Sequence, residues 1–340
     1  MQAVCKLRPG KDGVALVDTP EPVVGPGQVK IKVHAGGICG TDIHILKDEF
    51  ACDYPVIMGH EYSGVVAEVA ADVTAFRPGD KVVSMTRIVT CGQCRYCHEG
   101  VIMLCPESKS IGYGVNGAFA EYIVVPAKFV FIVPDNVSLD EAALCEPLAC
   151  AVHAALDRGQ VTAGDRVLVS GPGIIGVLVA QVALAAGATV AVAGTIVDEQ
   201  RLGYAKNQGC EIIMVDQGDP LQRCGEITDG QGFDIVFECA GVAPSVTFCL
   251  QAVRKGGLYV QTGLFAKPVE ADFNLAVVKE ITIAFEYGHQ WKSWERALTF
   301  LRNGQIDVKP LIGSKFALTD WRQAFDAALA KKYFKVLFTP

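Results

Sequence analysis

Basic residues are the minority among the charged side chains of this sequence. There are 30 Lys and Arg residues against 37 Asp and Glu residues, so the formal net charge is −7. A chain with this balance lacks the positive field that holds nucleic acid or anionic lipid, which argues against both as partners. Only 20% of the residues are charged and 51% are hydrophobic, which excludes a disordered or low-complexity chain. The 340 residues suffice for two domains with large cores.

A secretory signal is also lacking. Residues 1–10 contain neither an apolar segment nor a small-residue cleavage site, so we expect a cytoplasmic protein in a reducing environment. The sequence has thirteen cysteines, and most of them stand singly among apolar residues. An odd number of scattered cysteines suits free thiols better than a disulfide framework, and cysteines that cluster are candidate metal ligands.

One stretch, Val167 to Val197, lacks charged residues altogether. It is long enough for a transmembrane helix, which needs about 20 apolar residues. However, Gly171-Pro-Gly173 interrupts any helix, and the segments around it have the pattern strand, turn, helix and strand. Strands this apolar are typical of a parallel sheet that is covered on both faces. The stretch therefore predicts the first βαβ unit of an α/β domain.

The pattern of the sequence changes near Glu141. Short β-rich segments separated by Gly/Pro turns come before it and predict a compact all-β unit. Six apolar strands alternating with helices come after it, as a doubly wound parallel sheet requires. The tail after Tyr287 contains two helices and a strand, and could complete either unit. The predicted strands are 29–35, 62–69, 81–85, 120–126 and 129–133 in the first unit, and 166–170, 189–193, 212–215, 233–238, 257–262 and 281–285 in the second.

The first turn of the predicted sheet fits the dinucleotide pattern. Residues 171–176, Gly-Pro-Gly-Ile-Ile-Gly, match G-x-G-x-x-G between a strand and a helix. Such glycines let the backbone approach a pyrophosphate, whose charge then rests on the helix N-terminus. The pattern alone is weak, but the further strands behind it favour binding of NAD or NADP. The expected cofactor-binding residues are Gly171, Gly173, Ile175, Gly176, Thr195, Arg201, Gly263 and Leu264.

The second predicted strand of this sheet lacks the acidic residue that usually binds the adenosine ribose at its end. Gly194 or Thr195 occupies that place, and Asp198, a few residues later, is more simply the N-cap of the next helix. A neutral strand end with Arg201 nearby removes the charge that would repel a 2′-phosphate. We therefore expect NADP to be accepted, and the sequence leaves open whether it is preferred to NAD.

Four of the cysteines have the spacing of a structural zinc site. Cys91, Cys94, Cys97 and Cys105 form the pattern C-x2-C-x2-C-x7-C. Four thiolates can surround one tetrahedral zinc at about 2.3 Å per bond. An iron–sulfur cluster and unliganded thiols are the alternatives. A zinc finger for nucleic acid is disfavoured because the flanking residues lack the basic charge that phosphate binding needs.

A second and more dispersed set could form a catalytic metal site. Cys39, His60 and one or both of Glu61 and Glu146 would provide sulfur, nitrogen and oxygen ligands with room for a substrate. By composition alone the set is only suggestive, because a buried cysteine and a core histidine are individually commoner than metal ligands.

Seven motifs follow one another along nearly the whole chain. They are GGICGTDIH (36–44), PVIMGHEYSGVV (55–66), GDKVV (79–83), the four-cysteine segment, GAFAEYIVVP (117–126), EPLACAVHA (146–154) and GPGIIG (171–176). In this order and spacing they resemble the zinc-dependent medium-chain alcohol dehydrogenases, and most closely the polyol (sorbitol-type) and threonine dehydrogenase branch. The resemblance implies a GroES-like catalytic domain (1–147 and 287–340), a Rossmann dinucleotide-binding domain (148–286) and an active site in the cleft between them.

The resemblance also implies roles for individual residues. The implied ligands of the catalytic zinc are Cys39, His60, Glu61 and, as an exchangeable fourth that binds directly or through water, Glu146. Thr41 and His44 match the positions of a relay that carries the proton of the alcohol through the nicotinamide ribose to solvent. The implied reaction is oxidation of a secondary alcohol to a ketone by hydride transfer to NAD(P), and its reverse.

The substrate is implied less sharply. The sequence Glu-Pro-Leu at 146–148 resembles the polyol branch, whereas residues 285–289 depart from the sorbitol enzymes, in which an arginine near this position helps hold the substrate. This departure puts sorbitol itself in doubt. A threonine-type amino-alcohol dehydrogenase and a non-catalytic dinucleotide sensor are the alternatives.

Two further expectations concern the cleft and the assembly. Tyr287 and His289 are candidates for lining the cleft, and Phe119 is a candidate for either the cleft or the core. The resemblance implies a dimer or tetramer, in which the apolar edge of the strand at 281–285 pairs across a two-fold axis.

Overall fold

A computed structural model describes residues 1–340, with the side chain of Lys11 left out. The chain divides into two compact units, one formed by Met1–Glu146 with Gln290–Pro340 and the other by Pro147–His289. The predicted boundaries lie after residues 147 and 286. Here the chain leaves the first unit after residue 146 and returns to it after residue 289.

The regular elements are named in chain order. The strands are β1 (Gln2–Lys6), β2 (Val14–Asp18), β3 (Gln28–Gly37), β4 (Val56–Ile57), β5 (Glu61–Val69), β6 (Lys81–Ser84), β7 (Arg87–Val89), β8 (Lys109–Ser110), β9 (Tyr122–Pro126), β10 (Val130–Ile132), β11 (Arg166–Ser170), β12 (Thr189–Gly194), β13 (Glu211–Met214), β14 (Phe233–Glu238), β15 (Val253–Gln261), β16 (Thr282–Phe285), β17 (Ile312–Ala317) and β18 (Lys335–Thr339). The α-helices are α1 (Gly40–Leu46), α2 (Arg95–His98), α3 (Leu139–Ala142), α4 (Cys145–Val152), α5 (Ile174–Ala185), α6 (Glu199–Asn207), α7 (Pro220–Thr228), α8 (Ala243–Ala252), α9 (Phe273–Val278), α10 (Trp291–Arg302) and α11 (Trp321–Leu329).

The first unit is built mainly on antiparallel strands. Its largest sheet has the order β10-β6-β5-β3-β18-β17, and β9 also pairs with β3. Along β3 the residues alternate between core and surface, with Val29, Ile31 and Val33 buried, because successive side chains of a strand point to opposite faces. At the end of the chain, β18 pairs with β3 so that Phe338 lies opposite Gly36. The tail therefore completes the first unit.

A smaller sheet of β2, β1 and β4 also belongs to the first unit. These strands were not predicted from the sequence, because β4 has only two residues and the pairing of β1 with β2 spans only five residues. Met58, directly after β4, is hydrogen-bonded through its amide to Val4 of β1 at 3.0 Å. This small sheet thus holds the segment that leads into His60.

The second unit is a parallel sheet with the strand order β13-β12-β11-β14-β15-β16. Numbered within the unit, this is 3-2-1-4-5-6, the order of the doubly wound dinucleotide fold. Core residues such as Leu168, Ala191 and Val236 are almost completely buried, which explains the apolar strands. The uncharged stretch contains β11, α5 and β12, so the predicted βαβ unit is confirmed. Among the described residues, no helix combines the length and apolar character needed to cross a bilayer.

Candidate metal centres and cofactor site

The four clustered cysteines converge in one lobe of the first unit. Cys94 immediately precedes α2, and Cys105 follows a short 3-10 turn. The Sγ atoms lie 3.5 Å apart for Cys94 and Cys97, 3.7 Å for Cys91 and Cys105, and 3.9 Å for Cys91 and Cys97. A tetrahedron around zinc with bonds of about 2.3 Å has edges of about 3.8 Å. The four thiols therefore fit a single structural zinc.

Backbone amides favour the thiolate form of Cys91 in this lobe. The amide of Cys94 donates to Sγ of Cys91 at 3.3 Å, and the amide of Cys91 donates to Sγ of Cys105 at 3.5 Å. Hydrogen bonds from the Gln93 and Cys94 amides lower the pKa of Cys91 to about 7. At Cys94 the Cys97 amide lowers the pKa, but burial and the neighbouring thiols raise it to about 11. Because thiolates are the ligands that zinc requires, the backbone prepares Cys91 in particular for metal.

The second set of ligands is brought together where β3 and β5 pair. Cys39 follows β3 and is the N-cap of α1, while His60 immediately precedes β5 and Glu61 is its first residue. In the antiparallel register Gly37 lies opposite Glu61, which places Cys39 beside the start of β5. One ligand atom from each of Cys39, His60 and Glu61 lies within 4.8 Å of the other two.

Glu146 lies near this set. It is almost completely buried at the start of α4, and its charge acts on both His60 and Lys335. Among the described residues, however, the group whose ligand atoms all lie within 4.8 Å of one another consists of Cys39, His60 and Glu61. The role of Glu146 as an exchangeable fourth ligand therefore stays a prediction.

The surroundings of the three ligands carry a surplus of negative charge. Asp42 is fully buried, accepts a hydrogen bond from the Cys39 amide at 2.8 Å, and places Oδ1 4.0 Å from Nδ1 of His60. Burial lowers the pKa of His60, but the charges of Cys39, Asp42 and Glu146 outweigh it and raise that pKa well above its usual value. A cation stabilises a buried group of acidic side chains of this kind, and the sulfur, nitrogen and oxygen donors of the set suit zinc.

One residue of this site, Lys335 in β18, is not among the residues predicted from the sequence. Its ammonium group is almost completely buried and contacts the Glu61 carboxylate and the carbonyl oxygen of Ile38. A lysine directly followed by the apolar segment Val-Leu-Phe was the available signal, because a lysine in a buried strand is rare unless it is paired.

The two relay candidates lie on one face of α1. Thr41 Oγ1 lies 3.8 Å from Sγ of Cys39, next to the ligand set. His44, three residues further along the helix, is partly exposed, and its Nδ1 lies 2.8 Å from Oε2 of Glu49. Residues three apart on a helix are neighbours, so the helix connects the metal set with the surface. This arrangement suits the predicted relay, which stays a prediction.

Phe119 belongs to the core of the first unit. Its ring packs edge-on against Phe338 at 4.7 Å and Phe325 at 6.4 Å, and it is completely buried. A Cβ on Gly59 would lie only 2.3 Å from this ring, which explains the glycine directly before His60. Of the two places expected for Phe119, the structure therefore supports the core.

Another aromatic residue, which is not among the predicted site residues, lies beside the metal set. Tyr113 packs edge-on against the His60 ring at 6.0 Å and against Phe50 at 5.3 Å. Of the predicted lining residues in the second unit, His289 is fully buried and Tyr287 is exposed.

In the glycine turn between β11 and α5, each of the three glycines has a different task. One forms the tight turn, one allows helix and strand to pack closely, and one leaves space for a pyrophosphate. Gly171 has φ of +104°, and a Cβ there would lie 2.6 Å from the Ala240 amide nitrogen. A Cβ on Gly176 would lie 2.0 Å from the Gly171 carbonyl oxygen, so this glycine allows close packing of helix and strand. At Gly173, the N-cap of α5, the Cβ would meet no described atom within 4 Å. That open position, next to Ile175 in the first helical turn, fits a pyrophosphate.

The loops after β14 and β15 pack closely at the same edge of the sheet. A Cβ on Gly263 would lie 2.6 Å from the Gly241 amide nitrogen, so the backbones of the two loops approach each other closely. The buried carboxylate of Glu238 accepts hydrogen bonds from the Gly241 amide at 3.0 Å and from Nε2 of Gln261 at 2.6 Å. Leu264 follows with an exposed side chain. The predicted residues Gly263 and Leu264 thus lie at the carboxyl ends of the strands, where this fold binds dinucleotides.

At the end of β12, Thr195 and Asp198 form a reciprocal pair. The hydroxyl and the amide of Thr195 donate to Oδ2 of Asp198 at 2.9 and 3.3 Å. Asp198 stands at the N-cap position of α6, as predicted, but its side chain turns back to Thr195 and makes no side-chain capping bond to the helix. Arg201, in the first turns of α6, is partly buried. Burial lowers its pKa and the charge of Asp198 opposes that effect.

The two units together define a class of protein. A Rossmann sheet with an open glycine turn binds a dinucleotide, and a β unit with a mixed-donor metal set and a four-cysteine lobe binds zinc, which is the equipment of a zinc-dependent dehydrogenase.

Comparison with known proteins specifies the family. Residues 25–135 match the alcohol dehydrogenase GroES-like domain, and residues 175–303 match the zinc-binding dehydrogenase family. The chain therefore belongs to the zinc-dependent medium-chain dehydrogenases. The two-part fold and the zinc- and NAD(P)-dependent dehydrogenase activity expected from the sequence are confirmed.

Individual relatives cover the whole chain. D-arabitol-phosphate dehydrogenase of Enterococcus avium is 38% identical over 99% of this chain and 97% of the relative. Sorbitol dehydrogenase of Halalkalibacterium halodurans is 37% identical over 100% of this chain and 99% of the relative. A crystal structure described as a zinc-binding dehydrogenase from Sinorhizobium meliloti 1021, bound to NADP, has a TM-score of 0.92 at 30% identity and covers 100% of this chain and 99% of that one.

Proposed function

We propose that this enzyme oxidises a secondary hydroxyl group of a polyol or sugar-derived alcohol to a ketone, with transfer of hydride to NAD(P), and catalyses the reverse reaction. The observation that carries the proposal is the ligand set itself. Cys39 and His60 are joined by the carboxylate of Glu61, and a second carboxylate, Glu146, lies near. Two oxygen donors beside the metal suit a substrate with neighbouring hydroxyl groups. Two of the curated relatives are a polyol-phosphate dehydrogenase and a polyol dehydrogenase, and their names support the same class.

In this proposal the residues in and next to α1 and β5 bind the metal and transfer the proton of the alcohol. Cys39, His60 and Glu61 hold the zinc, and the bound metal supplies a Lewis acid that favours ionisation of the alcohol. Thr41 is placed beside the ligand set so that Oγ1 accepts the proton of the alcohol while its own hydroxyl proton passes on towards His44. His44 is placed at the surface to release that proton to solvent, and Glu49 orients its ring by contact with Nδ1.

The second unit binds the cofactor in this proposal. The open backbone at Gly173 and the N-terminus of α5 receive the pyrophosphate. The loops that contain Gly241 and Gly263 receive the nicotinamide half, because they lie at the carboxyl ends of the strands beyond the switch in strand order.

We also propose a homo-oligomer assembled through the second unit. β16 is the edge strand of its sheet, and Phe285 in that strand is exposed, as are Phe273, Val277 and Val278 of the preceding helix α9. Exposed apolar side chains beside an unpaired strand edge favour pairing with a second copy. Light scattering of the V277E variant, which should have a smaller mass than the wild type, tests this. A reducing cytosol is the proposed compartment, which the thirteen free thiols support.

The substrate proposal is tested by a screen of the zinc-loaded protein. Polyols, polyol phosphates, sugar acids and threonine are offered with each cofactor, and formation of reduced cofactor is followed by its absorbance. We expect turnover with one or more polyols or their phosphates. Turnover of threonine alone would favour the amino-alcohol alternative. Inactivity towards every alcohol at about two zinc ions per chain would contradict the proposal.

A further inference from the structure

The end of β12 carries a carboxylate that comes from the next strand of the sheet. Asp216 lies two residues beyond β13, and its Oδ1 and Oδ2 accept hydrogen bonds from the Ile196 amide at 3.1 and 3.0 Å. In the parallel register Gly194 of β12 lies opposite Met214 of β13, so Ile196 and Asp216 are each two residues beyond the last paired position. The loop after β13 thus places the carboxylate of Asp216 beside the end of β12.

This position is the one at which dinucleotide folds select their cofactor. An acidic residue at the end of the second strand accepts hydrogen bonds from the ribose hydroxyls and repels a 2′-phosphate. We propose that Asp216 performs this task from β13, so that the enzyme discriminates against NADP in favour of NAD. The inference deepens the proposed function and rests on it only in taking a dinucleotide as the ligand.

The backbone donors that a 2′-phosphate would need at this strand end are already engaged. The Thr195 amide donates to Asp198, and the Ile196 amide donates to Asp216. A phosphate group with two negative charges would have to displace one of these carboxylates or lie beside both of them. A ribose hydroxyl, by contrast, can donate to a carboxylate that is already present.

The remaining side chains at the strand end do not compensate for these acids. Ile196 is 47% exposed and Val197 is 88% exposed, and both are apolar. Arg201 is the basic residue expected to accommodate a 2′-phosphate, but the nearby Asp198 carboxylate already neutralises part of its field. The expectation that NADP is accepted, with its preference over NAD left open, rested on the acidic residues along the second strand alone. The folded chain places Asp216 at the same point.

The test measures binding without any alcohol. The zinc-loaded full-length protein is titrated calorimetrically with NAD and NADP, and with the adenosine fragments 5′-AMP and 2′,5′-ADP. We expect the wild type to bind NAD at least tenfold more tightly than NADP. The variant D216N keeps an oxygen acceptor for the Ile196 amide but loses the charge, and should reduce that ratio at least fivefold. D216S, with a shorter acceptor, should act in the same direction.

A matched control removes one negative charge from the opposite end of the same strand. Glu211 is exposed at the start of β13 and pairs with Arg223 at 2.7 Å, so E211Q should leave the NAD/NADP ratio within twofold of the wild type. Equal affinity of the wild type for both cofactors would overturn the proposal. So would a folded D216N protein with an unchanged ratio, or one that loses affinity for both cofactors equally. If no polyol is turned over in the activity screen, the measured ratios of NAD to NADP affinity still hold. The substrate proposal and the Asp216 proposal can therefore be contradicted independently of each other.

Discussion

The ammonium group of Lys335 lies 2.7 Å from Oε1 and 2.6 Å from Oε2 of Glu61, and both side chains are almost completely buried. β18 pairs with β3 so that Leu337 lies opposite Gly37, which brings the start of β18 level with the ligand set. A Cβ on Gly37 would lie 2.3 Å from the Glu61 carboxylate, so the glycine makes room for the pair. Burial lowers the pKa of Lys335, but the charges of Glu61 and Cys39 outweigh it and raise that pKa. Glu61 is therefore paired with the protein's own cation, and one of its carboxylate oxygens also lies within 4.8 Å of the ligand atoms of Cys39 and His60.

Replacement of Lys335 by methionine should destabilise the zinc-free protein by about 3 kcal/mol or more, because it leaves a buried carboxylate without its partner. All three tryptophans, Trp291, Trp294 and Trp321, belong to the first unit, so their fluorescence during urea unfolding reports on that unit. Zinc should reduce the loss, since the metal then compensates Glu61. K32M removes an exposed lysine from β3 and should have little effect. A loss below about 1 kcal/mol for K335M would show that the ion pair is not needed.

The relay role of Thr41 predicts a selective loss of turnover. T41A should lower kcat by about a hundredfold or more, the range expected when a positioned proton-transfer group is removed. The zinc content should stay near two ions per chain, because Thr41 is not a ligand. T41S keeps the hydroxyl and should retain most of the activity. Turnover of T41A close to that of the wild type would exclude the role.

The thiol of Cys91 should titrate near neutral pH once zinc is removed. Its pKa is lowered to about 7, whereas burial raises the pKa of Cys5 to about 11. Because the thiolate is the reactive form, the rate of alkylation at Cys91 should rise with pH through about 7 and level off above it. Mass spectrometry of alkylated peptides at a series of pH values measures this, with Cys5 as the unreactive reference. A midpoint near 9 for Cys91 would contradict the effect of the backbone amides, and bound zinc should abolish the reaction.

The open space at Gly173 predicts a variant that folds but binds the cofactor poorly. G173A adds a methyl group where no described protein atom lies within 4 Å, so the melting temperature should change little. The same methyl group obstructs the approach of the pyrophosphate, and the affinity for NAD should fall about tenfold or more, equivalent to about 1.4 kcal/mol. G203A, at an equally open position within α6, is the control and should leave NAD binding unchanged. Normal affinity in G173A would place the pyrophosphate elsewhere.

Patterns that lie within a short segment were readable from the sequence. The four-cysteine lobe occupies residues 91–105 and the glycine turn residues 171–176, and in each the backbone itself sets the geometry. The strands of the parallel sheet were also predicted, because burial on both faces leaves a continuous apolar segment. Motif resemblance suggested Cys39, His60 and Glu61, although their spacing alone left ordinary core roles open.

Other relationships depended on which strands become neighbours. Lys335 and Glu61 are 274 residues apart and meet because β18 and β5 both pair with β3. Asp216 and Ile196 are 20 residues apart and meet because β13 lies beside β12 in parallel register.

The sequence by itself thus determined the fold class, the family, the structural zinc lobe and the dinucleotide turn. Only the tertiary structure decided that Phe119 belongs to the core, that the carboxyl-terminal tail completes the first unit, and that Glu61 is shared with a buried lysine. It also placed the Asp216 carboxylate at the end of β12, a strand without an acidic residue of its own. The physical reason is that strand pairing is selected by burial over the whole chain, and no local pattern of residues records which distant side chains it brings into contact.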